Sequence, residues 1–393
     1  LCDAFIKAAV GIGIPENKDY NGGIQEGVSY VQRTTKGRLR VSAAKAFLNP
    51  AKKRRNLSIR TNAHVMRIEL EGKRATAVRY AVGGRHGVEH VVEARREIIL
   101  SAGTINSPHI LQLSGIGPKE LLDDLGIEVK HHLPGVGENL RDHYAPRFTA
   151  RAKNISTINE LSRGPRLWAE IGKYLLGKQS IVGLGPTLVY AFWHSNEAIR
   201  NHDLQLTFAP ASYKEGVQSQ LDNEPGFTVA SWQQRPESLG WVKARSADPF
   251  DKPRIQPNYL SAEEDKRVLL AGMRLCRRIM ATPELAPYLD YEQYPGEHIQ
   301  RDDELLQVAR ERGTTTYHLM GACRMGPDSD PTAVVDSDLR VKGIKGLRVA
   351  DASIMPTMLS SNLNAGALMI GEKASDLVLG KEPLEPIMDA IQH

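Results

Sequence analysis

"SAGTINSPHILQLSGIGP", residues 101–118, sets small residues, a glycine and a Ser-Pro pair ahead of an apolar stretch that closes on Gly115 and Gly117. The run leading into it, "EIILSAG" (97–103), reads as a short strand ending in small residues. "SPHILQLSG" (107–115) reads as a helix, with Pro108 suited to its first turn, where a missing N–H is not needed. Strand, tight turn and helix start are the grammar of an α/β fold. Unpaired amides at such a helix start suit an anionic or polar ligand. The same arrangement also serves plain packing, so the stretch alone names no function.

Working outward, "LSIRTNAHVMRIEL" (57–70) and "ATAVRYAV" (75–82) alternate or run apolar, and "EGKR" between them predicts two strands joined by a tight turn. "RLRVSAAKAFLNPAKKRRN" (38–56) is expected to be a helix capped by Ser42 and stopped before Pro50. Downstream the character changes. "DLQLTFAP" (203–210), "GFTVASWQQ" (226–234) and "GWVKARS" (240–246), spaced by polar turns, predict an antiparallel sheet. "SAEEDKRVLLAGMRLCRRIMA" (261–281) is a strongly amphipathic helix with capping-box spacing from Ser261 to Glu264. Met273, Cys276 and Met280 lie on one stripe of it and are expected in the core. Strand–loop–helix grammar returns with "GLRVADAS" (346–353) and "NAGALMIGEKASDLVLG" (364–380), which runs to a glycine stop. A chain that leaves one architecture and comes back implies interleaved domains, and the cleft between such domains is a preferred ligand site.

The totals agree. With 393 residues, 41% hydrophobic and 25% charged, the chain suits two globular domains. Net charge is +5, and "KKRR" (52–55) is its densest basic run. Charges are interspersed elsewhere and no nucleic-acid motif accompanies the run, so it reads as a solvated loop and no nucleic-acid partner is expected. Cys2, Cys276 and Cys323 are too few and too scattered for a disulfide framework or a zinc site. A reducing compartment, the cytoplasm, is expected. No apolar run is long enough to span a bilayer. The opening "LCDAFIKAAVGIGIPENKDY" has no basic leader or cleavage site and does not read as a signal peptide. Because it opens on Leu1, a secretion signal further upstream stays open.

"YHLMGACRMG" (317–326) concentrates the reactive side chains. A metal site would need partner ligands at suitable spacing, and a redox motif a second nearby cysteine. A lone histidine is usually structural, which leaves His318 undecided on local grounds.

Wider pattern decides it. The stretch 101–118 resembles the second signature of the glucose–methanol–choline (GMC) oxidoreductases, flavoenzymes that oxidise alcohols. The match includes Gly103, Thr104, Ser107, Pro108, Leu111, Ser114, Gly115, Gly117 and Pro118. "LPGVGENLRDH" (133–143), with Gly137 and Asn139, resembles the loop that closes over the flavin. "TNAHVMRI" (61–68) resembles the strand whose valine, here Val65, lends its backbone to the adenine. "GLRVADASIMPTMLSSNLNAGALMIGEKASDL" (346–377) resembles the terminal flavin-contacting strand, active-site loop and last helix. Within it Asp351, followed by Ala352, matches an acidic position near the ribityl and phosphate atoms, although a turn cap is the plain reading of such an aspartate.

The resemblance implies an α/β (mixed α+β) fold with an interleaved FAD-binding Rossmann-like domain and a substrate domain built on an antiparallel sheet flanked by helices. The expected segments are 1–55 and 146–300 for the substrate domain, and 56–145 and 301–393 for the FAD-binding domain. It makes His318 and Asn362 the catalytic pair for hydride transfer from a primary alcohol to FAD, with Asn364 as a further polar contact. A base must take the hydroxyl proton and a donor must hold the oxygen as charge grows on it. Relatives that take choline carry a glutamate near the cavity. "GPTLVYAFWHS" (185–195) has no acid, so an apolar primary alcohol is expected, with Tyr190, Phe192 and Trp193 as candidate cavity residues. The electron acceptor, oxygen or a quinone or dye, stays open.

The glycine-rich dinucleotide fingerprint of the family is not found. "GIGIPE" (11–16) puts Glu16 at the third glycine position, and "GIGPKE" (115–120) fails likewise. A longer parent protein or a partner chain is expected to supply it. A cyanohydrin-cleaving enzyme and a flavin-free remnant are the alternative readings.

Overall fold

The computed structural model describes residues 1–199, 201–214 and 217–385. A six-stranded antiparallel sheet gathers strands from distant parts of the sequence. In spatial order they are Gly27–Tyr30, Val189–Trp193, Leu204–Ala209, Gly226–Gln233, Arg147–Ala152 and Leu289–Tyr294. Side chains alternate across each strand, so the sheet has two distinct faces. Phe148, Ala150, Leu206, Phe208, Phe227 and Val229 are buried on one of them. Helices Glu263–Met280 and Cys2–Gly11 pack into the same apolar cluster, and Phe5 stacks on Phe208 with ring centroids 4.5 Å apart. Gly272 lets the long helix approach the sheet closely: a Cβ there would lie 2.8 Å from Ser231 Oγ and 2.9 Å from Leu204 Cδ2. The opposite face carries Arg147, Thr149, Thr207, Thr228, Ala230 and Trp232 and floors a cavity of about 1080 Å³.

A second apolar cluster gathers Ile68, Leu100, Leu111, Val349, Ile354 and Ile370. Around it lie the hairpin Ala63–Glu71 and Arg74–Val82, its extension Val88–Glu93, and the parallel pair Ile98–Leu100 with Leu347–Val349. Helices Gly103–Leu113 and Asn364–Leu379 complete it, the latter ending on Gly380 in the left-handed region at φ 64°. The chain supplies this cluster twice, before and after its passage through the large sheet. The architecture is mixed α/β, as expected.

Four local expectations need correction. Trp241–Lys243 is not in the large sheet but pairs with Arg254–Gln256 in a separate hairpin. The helix Glu263–Met280 is capped at Ala262, and the capping box does not form. The Ser238 hydroxyl instead takes the amides of both Ser261 and Ala262 at 3.1 Å each. Pro108 lies inside its helix, because the helix starts at Gly103, whose amide donates to Asp351 Oδ2 at 2.9 Å. Ser42 does accept from the Lys45 amide at 3.3 Å, but the turn is a π-helix, Ala44–Leu48, that runs on into Asn49–Ala51. Pro50 is tolerated there because it falls in the first turn of that last piece.

Candidate active site

Two backbone ladders assemble the site. Within residues 133–143, Gly137 donates to the Ala322 carbonyl at 2.8 Å, and Arg141 and Met320 exchange hydrogen bonds of 3.0 Å. Gly137 must be glycine: φ is 89°, and a Cβ would meet the Val242 carbonyl oxygen at 2.1 Å. Next along, Tyr144–Ala145 pairs antiparallel with Thr314–Thr315. These pairings carry Asp142 and His143 to His318. Tyr317 takes a positive φ of 62°, uncommon for a bulky residue. The Thr315 hydroxyl holds its amide at 2.8 Å, and the turn leaves Tyr317 exposed while His318 lines the cavity.

Hydrogen bonding then dictates the protons. His143 is fully buried, with Nε2 2.8 Å from the Gln234 carbonyl oxygen. A carbonyl only accepts, so Nε2 carries the proton and His143 Nδ1 is bare. His318 Nδ1 lies 2.8 Å from that bare nitrogen and 2.9 Å from Thr316 Oγ1. It must hold a proton, since two facing lone pairs repel. That leaves His318 Nε2 as an acceptor, met by Asn362 Nδ2 at 2.9 Å. Asn362 Oδ1 accepts from Gln205 at 3.3 Å, which orients the amide.

Among the described residues no carboxylate hydrogen-bonds to either ring. Asp142 takes the His318 backbone amide at 2.9 Å and the Tyr259 hydroxyl at 2.6 Å. Burial pulls His318 down to a pKa of about 4, and burial with the neighbouring ring pulls His143 to about 3. Both are neutral at pH 7.

Tyr190 lines the cavity with His318 and Asn362. Phe192 and Trp193 do not: Phe192 is fully buried, 5.3 Å from Tyr20 between ring centroids, and Trp193 packs against the core on the other side of its strand. The other candidates form a second group. Asp351 takes the Gly103 amide at 2.9 Å, the Ser107 hydroxyl at 2.6 Å and the Ser353 amide at 2.8 Å, so its carboxylate is spent holding a turn. Ala352 opens the short helix Ala352–Ile354 behind it. The Thr104 hydroxyl donates to the Leu319 carbonyl at 2.8 Å, Pro108 is buried, and Val65 is half-buried against the second cluster. Gly103 has nothing within 4 Å of where a Cβ would stand, Asn139 makes only two long hydrogen bonds of 3.3 and 3.4 Å, and Asn364 is exposed. An open glycine face, a loosely held Asn139 amide and an exposed Asn364 fit a polar cofactor.

Sequence reasoning missed His143, Thr316, Gln205 and Arg147. His143 stood in a quoted string, but nothing local tied it to His318. Among the described residues, no cluster of metal ligands and no helix long and apolar enough to cross a membrane is found.

Comparison with known proteins follows the same lines. GMC oxidoreductase family patterns match residues 1–145 and 236–371. The oxygen-dependent choline dehydrogenase of Vibrio vulnificus is 40% identical over 392 residues, covering 98% of this chain and 68% of that protein. Pyridoxine 4-oxidase from Mesorbium loti superposes with a TM-score of 0.84 at 27% identity, over 97% of this chain and 70% of the other. A formate oxidase variant of Aspergillus oryzae, whose structure concerns FAD modification, gives 0.86 at 26% identity over 96% and 70%. The chain thus spans about two thirds of the length of these proteins.

Proposed function

The chain belongs to the GMC oxidoreductase family, which acts on CH–OH donors, and we propose that it oxidises a primary alcohol to an aldehyde with FAD as cofactor. The observation that carries this is the bare Nε2 of His318, 2.9 Å from the Asn362 amide nitrogen at the edge of the cavity. An alcohol oxygen that takes the place of this direct contact would lose its proton to His318 Nε2 and gain a hydrogen bond from Asn362 Nδ2 as charge develops on it. The imidazolium so formed keeps its other N–H shared between His143 and Thr316. Val65, Gly103, Asn139 and Asn364 would hold the cofactor, with Thr104, Ser107 and Asp351 shaping the turn at Gly103. Bound FAD supplies the two-electron acceptor that no side chain offers.

The test is anaerobic. A primary alcohol should bleach flavin bound to the native protein, and His318→Ala should slow bleaching about a hundredfold. Bound flavin that stays oxidised with every primary alcohol would remove this reading. Cyanohydrin cleavage without bleaching would favour a lyase.

A further inference from the structure

The cavity faced by His318 and Asn362 carries threonines and charged side chains beside its aromatic ones. Arg147 opens the strand Arg147–Ala152 and stands on the open face of the sheet. Register sets it beside Ala230, and Ala230 beside Thr207, so three cavity residues run in one row across the sheet. The guanidinium donates to the Thr314 hydroxyl on the segment leading to His318.

A guanidinium has five N–H donors and does not give up its proton in a protein. Among the described residues no carboxylate pairs with Arg147, and the ionisable groups acting on it are the phenols of Tyr213 and Tyr317. Arg147 is half-buried, and a cation partly withdrawn from water without a counter-ion is best completed by an anion. Among the described residues, the other charged ones lining the cavity are Lys214, Arg312 and Glu311. Arg312 stacks over Tyr294 at 4.5 Å, and Glu311 accepts from Gln307 at 2.7 Å. A guanidinium at the cavity wall with no carboxylate partner among the described residues suits an anionic substrate and opposes a quaternary ammonium.

Resting on the alcohol oxidation above, we infer that the substrate is a hydroxy acid, whose carboxylate pairs with Arg147 while its CH2–OH group meets His318 and Asn362. The O–H bond breaks and its proton goes to His318 Nε2. The C–H bond breaks, its hydrogen leaves with the electron pair to FAD, and the carbonyl forms. The carboxylate is unchanged, so the product is an aldehyde acid.

The experiment compares 6-hydroxyhexanoate, 1-hexanol and choline on the FAD-loaded native protein. kcat/KM should favour the hydroxy acid over 1-hexanol by about tenfold or more, the scale of a charge-assisted hydrogen bond, and choline should be poorest. Arg147→Gln should bring the ratio of hydroxy acid to hexanol towards one, and Arg147→Lys should keep part of it. Apart from turnover, hexanoate should raise the Tm of the wild-type protein but not of Arg147→Gln. Equal kcat/KM for the acid and 1-hexanol, a preference for choline, or no Tm shift of the wild type by hexanoate would overturn the inference while alcohol oxidation stands. Hexanoate binding through Arg147 with no alcohol oxidised at all would instead sink the reaction and keep the anion site.

Discussion

The Nδ1 atoms of His143 and His318 face each other at 2.8 Å, although 175 residues separate them in sequence. His143 Nε2 is committed to the Gln234 carbonyl, so the shared proton belongs to His318. A residue with no exposed surface thereby sets the tautomer of the proposed base.

Replacing His143 with Phe keeps a ring in the buried space and leaves Thr316 as the sole acceptor for His318 Nδ1–H. Flavin reduction should slow about tenfold or more, with KM little changed, because the base is no longer held in one tautomer and orientation. Its pH profile should also move, a response that a merely structural role would not produce. His143→Asn, which restores an acceptor, should recover part of the rate.

Asn362→Ala removes the donor facing the reacting oxygen. A loss of about a hundredfold in kcat is expected on the scale of one oxyanion donor, read by stopped-flow reduction of the flavin. A change confined to KM would limit Asn362 to substrate placement.

The pH response follows from burial. His318 titrates at about 4 in the fold, so activity should be flat near neutrality and fall as pH drops through about 4, where Nε2 loses its lone pair. Stability has the same sign over a wider window. The buried His143 ring and the half-buried His318 ring resist protonation, while in the unfolded chain they charge at about 6.5. Their contribution is fully present above about 6.5 and is lost progressively towards about 4 for His318 and about 3 for His143, because the unfolded state binds protons first. Urea unfolding across that window measures it. A midpoint that does not move would show that the rings charge inside the fold.

Gly272→Ala places a methyl group 2.8 Å from Ser231 Oγ at a close contact of helix and sheet. Overpacking of this kind costs about 1–3 kcal/mol, visible as a lower Tm. Ser231→Ala in the same chain should return part of that loss, since it removes the nearest atom. Additive effects would place the strain elsewhere.

Much of the fold was legible because it rests on local periodicity. The alternation in Leu204–Ala209 and Gly226–Gln233, the apolar stripe of Glu263–Met280 and the left-handed stop at Gly380 each need only a few neighbouring residues. His318 and Asn362 lie in separate stretches and were singled out by the resemblance of several blocks taken together, not by local pattern. Where reading failed, a distant group intervened. Ser238, 23 residues from Ser261, displaced the expected cap. Asp351, 248 residues from Gly103, moved a helix start and put Pro108 inside the helix.

The sequence by itself determined which segments become strands and helices, which faces are apolar, and which side chains are chemically able to act. Only the tertiary structure decided which of them meet. A lone pair on His318, a carboxylate on Asp351 and a cation on Arg147 have no role until the sheet and the paired loops bring His143, Gly103 and the cavity against them. Hydrogen bonds and charge act over a few ångströms, and those few ångströms are set by packing between segments hundreds of residues apart.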